Sequence, residues 1–474
     1  MESISAESSD NAGRYLALQV RQTPNSIVLP RNRFRLAGNE TGQLEDTKTK
    51  FSFAFFWLAS FYLVYCGRPS DLIPGFGSIH PAKLTAGLAI LSLLFSIRTA
   101  SRQLKDIPKE GLYLLFLILV SFLSALLSPV WRGGALDTTL DFAKVYFAWV
   151  ATFLLVTTLK ELKRIIFLQS ASVAVIAVAA MVKGRDVPRL DSVIGGVYSA
   201  PNDLALAIAL CIPFCLAFLL TARRLIFKVA WLSAIIAMTV ALLLTASRAG
   251  FIDLAVSGIV LLWHFGVKGK RGYLIIAAIV LMAGAWVFAG KQLAVRWNGF
   301  FNSGASVEQD TAHESYVERR ILVDRAIEIV AEYPILGIGS GNFVVRSGMW
   351  RDVHMSYLQI AVDSGIPALI LYLMFFARGF INLGMLSKAS NLDAETVLFV
   401  GAIKSALVGF VVGACFAPVA YQFFPYFFVC YTSILAALVR ERELGGAVGN
   451  VLDSSISRRR SLSRGSLNGL IHTQ

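Results

Sequence analysis

The chain has 474 residues, 56% of them hydrophobic and 16% charged, against roughly 45–50% and 25% in a soluble domain. With a mean hydropathy of +0.64, an ordinary soluble globular protein is excluded. The net charge of +14 reports first on cytoplasmic loops, because Lys and Arg resist translocation, so no nucleic-acid partner is expected.

Residues 1–50 carry seven basic and six acidic residues among Ser, Asn and Gly, a composition expected to stay disordered as a cytoplasmic arm. The arm lacks a short leader pattern, so the first apolar run is expected to be an uncleaved anchor. Twelve apolar runs follow, near 51–66, 82–97, 111–129, 139–158, 165–182, 202–221, 225–244, 250–266, 273–290, 357–377, 396–416 and 421–438. Each is close to the length that crosses a hydrocarbon core of about 30 Å as a helix. The expected fold is an all-α polytopic membrane protein of about twelve transmembrane helices. A membrane domain at 51–438 includes one large extracytoplasmic loop, 291–356, between spans nine and ten. Residues 439–474 form a basic tail in which Arg458, Arg459, Arg460 and Arg464 either meet anionic headgroups or are simply solvated.

With the N-terminus inside, Arg98, Arg102, Lys105 and Lys109 fall in an inward loop, as do Lys160, Lys163 and Arg164, then Arg223, Arg224 and Lys228. Lys268, Lys270 and Arg271, then Arg378 and Lys388, continue the bias, which places both termini in the cytoplasm. Lys183, Arg185 and Arg189 are the exception and fall outside, where they are either solvated or face an anionic ligand. Cys66, Cys211, Cys215, Cys415 and Cys430 lie in or beside spans without histidine at metal-ligand spacing, so neither disulfide nor metal is expected.

Charge at membrane depth is costly, which directs the search for chemistry to outward loops and the outer ends of spans. Thr245-Ala246-Ser247-Arg248-Ala249-Gly250 reads as a tight reversal that holds one guanidinium between helix ends, or as a snorkelling arginine. In the large loop, Glu318, Arg319, Arg320, Asp324, Arg325 and Glu328 read as a charged helix ending before Pro334. Next comes Gly337-Ile338-Gly339-Ser340-Gly341-Asn342-Phe343, either a plain turn or a nest of amides for an anion. It lacks dinucleotide-site spacing. His354, in Asp352-Val353-His354-Met355-Ser356-Tyr357, stands where the loop enters the tenth span. With an ordinary pKa near 6.5, imidazole there is able to accept a proton.

The order of these elements resembles the O-antigen ligase and O-antigen polymerase superfamily. That pattern has a Ser-Arg turn before a span, then a large outer loop carrying arginine, a Pro-x-x-Gly-x-Gly segment, and a histidine opening the next span. Here these are Ser247-Arg248, Arg319 or Arg320, Pro334 to Gly339 with Asn342-Phe343, and His354-x-x-Tyr357-Leu358 followed by Gly365-Ile366-Pro367. Pro201-Asn202 resembles a further family element, and Arg189 lies thirteen residues before Asn202. Met355 stands where members commonly carry asparagine.

The resemblance implies transfer of a glycan from an undecaprenyl diphosphate carrier to a lipid, glycan or protein hydroxyl at the outer face of the bacterial cytoplasmic membrane. It implies His354 as general base, with Arg248 and one of Arg319 and Arg320 stabilising the leaving diphosphate. It further implies substrate-binding roles for Arg189, Asn202, Gly339, Asn342 and Tyr357, with inversion at the anomeric carbon. No cofactor or metal is expected, since guanidinium can neutralise the diphosphate. Polymerisation with a second lipid-linked repeat as acceptor, and transfer to protein, are the alternatives within the class. A secondary transporter is the alternative outside it, for which Lys144 and Lys404 within apolar runs are the relevant features.

Overall fold

A computed structural model describes residues 53–73, 75–96, 102–186, 190, 193–298, 307–349, 351–389 and 392–443. The N-terminal arm, the tail from 444 and Arg189 lie outside the described residues. The fold is all-α. In lipid no water is available to backbone groups, so an apolar run closes its own hydrogen bonds as a helix.

We number the helices α1 (Phe53–Gly67), α2 (Pro81–Ser96), α3 (Lys109–Leu126), α4 (Arg132–Leu155), α5 (Leu159–Lys183) and α6 (Pro201–Thr221). They continue as α7 (Leu225–Leu244), α8 (Arg248–Leu262), α9 (Tyr273–Asn298), α10 (Val307–Glu332), α11 (Ser356–Lys388), α12 (Ala394–Gly413) and α13 (Phe423–Glu443). Among the described residues, ten helices are long and apolar enough to cross a membrane, and shorter apolar helices occupy Phe53–Gly67 and Tyr273–Gly284. Each of the twelve expected runs therefore falls on a helix.

Helix boundaries follow local chemistry. Thr158 and Glu161 form a reciprocal capping box at the start of α5, Pro201 opens α6, and Asp393 caps α12 through Thr396 N–H at 3.2 Å. A continuous apolar core threads most of the bundle, with Trp149, Tyr62, Phe214 and Tyr426 fully enclosed.

Two features of the large loop and the tenth run go beyond the sequence reading. The segment 291–356 is substantially helical, since α9 continues to Asn298 and α10 runs from Val307 to Glu332. Leu322, Ala326 and Ile329 of α10 form a second small core with Ile338, Phe343, Val353 and Val362. The tenth run is expected at 357–377, whereas α11 spans Ser356–Lys388 and breaks at Gly365, where φ is 83° and ψ 174°.

The break explains the spacing of glycines. Ile338 and Gly339 N–H groups donate to Val362 and Asp363 carbonyls, each at 2.9 Å, and Ile366 N–H donates to Pro334 O at 2.8 Å. The backbones meet so closely that a Cβ on Gly337 would stand 2.3 Å from Val362 O, and one on Gly365 2.2 Å from Ile335 O. Only glycine tolerates both the positive φ and the contact.

Candidate active site

His354 lies half-buried two residues before α11. Its Nδ1 is 2.9 Å from Asp352 O. A carbonyl only accepts, so Nδ1 carries the proton and Nε2 is left as the basic nitrogen of the neutral ring. Burial holds the imidazole below its ordinary pKa; the bond to Asp352 opposes this, the Arg319 and Arg351 charges reinforce it, and Glu318 opposes it. The neutral, proton-accepting form is thus favoured at neutral pH.

Those neighbours come from α10 and the segment before α11. Arg351 Nη1 lies 3.3 Å from Glu318 Oε2. Arg319 is half-buried on the side that bears on His354, while Arg320 is exposed. Adjacent residues on a helix point about 100° apart, so one of the two faces the histidine. Farther along α10, Arg325 pairs with Glu328 at 2.5 Å on the exposed surface.

Arg248 sits half-buried at the first position of α8. The turn before it is tight: Ala246 is buried with φ 48°, a conformation that residues with a side chain seldom adopt. Ser247 caps α8 by accepting from Gly250 N–H at 3.1 Å and donates to Asn202 Oδ1 at 2.7 Å. The Ser-Arg turn and the Pro-Asn element are thereby joined.

The segment between α12 and α13 ties these pieces together. Ser356, two residues after His354, donates from its N–H to Ala414 O at 2.8 Å and from its hydroxyl to Ala417 O at 2.7 Å. Val419 N–H returns a bond to the same hydroxyl at 2.9 Å. Tyr421 OH donates to Asp363 Oδ2 at 2.7 Å and lies 3.4 Å from Ser340 Oγ in the glycine segment. α8 packs on α12 so closely that a Cβ on Gly409 would stand 2.6 Å from Asp253 Oδ1. The helix that begins with Arg248 and the segment that anchors Ser356 thus share one seam.

The remaining sequence-derived residues are engaged within the protein. Asn342 is buried, with Nδ2 donating to Ser128 Oγ at 2.9 Å, Ile338 O at 2.9 Å and Trp131 O at 3.1 Å. Gly339 spends its N–H on Asp363 O, and Tyr357 OH donates to Val411 O at 2.7 Å.

Residues 232–373 match the family model described as O-antigen ligase. The match supports membership of the O-antigen ligase and polymerase superfamily, and with it a ligase or polymerase type of function in polysaccharide biosynthesis by an integral membrane protein. It runs from within α7 into α11, so it takes in Ser247-Arg248, Arg319, the glycine segment and His354, and leaves Asn202 and Tyr421 outside. No curated protein matches the chain. Sequence reasoning placed Glu318 on the charged helix without a role beside His354, and missed Arg351, Asp363 and Tyr421. The available signal was Asp363, a carboxylate inside an apolar run.

Proposed function

We propose that the protein transfers a glycan from an undecaprenyl diphosphate carrier to an acceptor hydroxyl at the outer face of the cytoplasmic membrane, in the manner of an O-antigen ligase. The observation that carries this reading is His354, with Nδ1 held by the Asp352 carbonyl and the Arg319 charge beside it, inside the stretch that matches the O-antigen ligase family.

In this mechanism His354 Nε2 takes the acceptor proton as the acceptor oxygen attacks the anomeric carbon. The bond from that carbon to the diphosphate oxygen breaks on the opposite face, so configuration inverts. Negative charge grows on the departing diphosphate, and planar guanidinium meets phosphate oxygens with two parallel hydrogen bonds while staying charged. Arg248 and Arg319 take this role, which makes a divalent cation unnecessary. Asn202 acts through Ser247, and Gly339, Asn342 and Tyr357 act by holding the glycine segment and α11 in place. Arg189 remains assigned to substrate binding by resemblance alone. Both termini lie inside and the α10 segment outside, as the bias of Lys and Arg requires.

Purified protein given only the lipid-linked repeat is expected to leave its length unchanged, and to consume it when a separate acceptor is added. A ladder of longer lipid-linked chains, lost in His354→Ala, would replace ligation by polymerisation and keep the catalytic assignment. Consumption at the wild-type rate by His354→Ala would overturn the base.

A further inference from the structure

The loop after α1 and the segment before α6 meet in a clasp. Arg68, directly after α1, takes the left-handed conformation with φ 45° and ψ 51°, which residues with a side chain seldom adopt. Its guanidinium turns onto Asp71, with Nε donating to Oδ2 at 3.0 Å and Nη2 to Oδ1 at 3.2 Å. Two parallel bonds of this kind fix direction as well as distance. Asp71 Oδ2 also accepts from Gly195 N–H at 3.0 Å. The next residue, Gly196, has φ 59°, and a Cβ there would stand 2.4 Å from Arg68 Cζ and Nη1. The guanidinium therefore lies against a Cα that only glycine leaves bare. Lys183, in the last turn of α5, adds a further tie by donating to Asp71 O at 2.5 Å. One of the three basic residues that depart from the inward charge bias is thus used within the fold.

The clasped segment leads to Arg248 by a chain of contacts. Tyr198 is buried and its OH donates to Cys66 O at 2.7 Å, against the end of α1. Pro201 then opens α6, and Asn202 Oδ1 accepts from Ser247 Oγ at 2.7 Å. Ser247 caps α8 through Gly250 N–H at 3.1 Å, and Arg248 is the next residue. Leu190 N–H donates to Leu244 O at 3.2 Å, which fixes the stretch before the clasp to the end of α7, just ahead of the Ser-Arg turn. Between Gly195 and Asn202 the backbone is wound into a short turn over Gly196–Tyr198. Little slack is left there to absorb a displacement at the clasp.

We propose that Arg68 and Asp71 are positioning residues for Arg248: their pair sets the place of the 195–202 segment and, through Asn202 and Ser247, aims the Arg248 guanidinium. The proposal rests on the transfer reading for the diphosphate that Arg248 meets, and on the contacts alone for the link. A two-pronged contact with phosphate oxygens depends on the direction of the guanidinium, so a pair remote from the chemistry bears on the rate.

The test uses the full chain in lipid nanodiscs with two readouts. Amide hydrogen exchange needs no turnover: Asp71→Ala should speed exchange about tenfold or more at Gly195 and also in the 246–250 peptide, which holds the Ser247 cap. Faster exchange in the 195–202 segment alone, with 246–250 as in wild type, would overturn the link. The second readout is a double-mutant cycle on kcat/KM per folded molecule, with the lipid-linked repeat and a separate acceptor. Asp71→Ala should cost about tenfold in the wild-type background and less than about threefold beside Arg248→Lys, whose guanidinium is already gone. Beside Arg319→Lys, on α10, it should keep its full cost. A merely structural loss would multiply equally in both backgrounds and overturn the proposal. If Asp71→Ala does not fold, Gly196→Ala runs the same cycle, since its Cβ displaces the guanidinium and leaves both charges in place. Coupled exchange in a protein that transfers no glycan would remove the transfer reading and leave the positioning. Transfer with costs that multiply in both backgrounds would do the reverse.

Discussion

The two ends of the bundle are built on different plans. At the end opposite His354, buried charges are paired and hydrogen-bonded within the bundle. Arg102 is 3% exposed and donates to Phe153 O and Val156 O at 3.1 and 2.9 Å, while its Nε meets Glu441 at 3.1 Å. Glu110 is buried and accepts from Asn382 Nδ2 at 2.7 Å and Ser433 Oγ at 2.6 Å, with Arg378 Nε at 3.6 Å. At the His354 end the backbone departs from regular helix. All seven positive-φ glycines of the described residues, Gly75, Gly196, Gly337, Gly339, Gly341, Gly348 and Gly365, belong to it, as does Ala246. One end is a set of clamps. The other uses glycine turns to hold side chains at broken helix ends, with Ala246, before Ser247-Arg248, as a strained position among them.

That contrast is broken most severely at the histidine. His354→Ala is expected to leave insertion and melting temperature near wild type and to cut transfer by about 10² to 10⁴, the range for a positioned acid or base. The readout is initial rate in detergent with the separate acceptor present. A variant that turns over normally would assign the strained end to structure alone.

The arginines sharpen it. Arg319→Lys and Arg248→Lys should each lower kcat/KM about tenfold or more, because ammonium does not reproduce a two-pronged contact. Arg320→Lys should stay within about twofold of wild type, since Arg320 is exposed. Equal losses at Arg319 and Arg320 would point to general electrostatics rather than one directed guanidinium.

Much of the fold was legible because lipid imposes it: the twelve apolar runs fall on helices, since length and hydropathy carry nearly all of that information. The helical state of α10 was also readable from its charge pattern. The break at Gly365 was not, because it depends on the carbonyls of Val362 and Asp363 meeting a segment more than twenty residues earlier in the chain. Of the candidate site, the residue types around His354 and Arg248 were legible as a pattern of motifs. The choice of Arg319 over Arg320 needed the face of α10. Tyr421 was invisible because the first residue of an apolar run gives no sign that its hydroxyl bonds to Asp363.

The clamped end is expected to respond in stability rather than turnover. Glu110→Ala leaves the half-buried Arg378 guanidinium without its carboxylate and takes one of two acceptors from each of Asn382 Nδ2 and Ser433 Oγ, at a cost of about 1–3 kcal/mol. Thermal denaturation in detergent should show this, with the rate per folded molecule kept within about twofold. A fall in that rate matching His354→Ala would mean that the two ends act as one unit.

The finest test concerns the acid limb of the pH profile. Transfer needs His354 without its second proton, so kcat/KM falls as pH drops through the pKa of that ring in the free enzyme. Burial with the nearby Arg319 and Arg351 charges holds that pKa below the ordinary 6.5 or so. The acid limb should therefore lie below that value, measured between about pH 5 and 8. Arg351→Gln removes one positive charge and leaves Glu318, its partner at 3.3 Å, uncompensated beside the ring. Both changes favour imidazolium, so the limb should move upward. Glu318→Gln removes the negative charge that stabilises imidazolium, so its limb should move downward. Neither side chain is assigned to the chemistry, so plateau rates should change less than the limb positions. Opposite shifts from two partners of one ion pair are not produced by loss of packing, which would lower rates without ordering the two limbs; limbs that coincide in all three proteins would remove His354 as the titrating base.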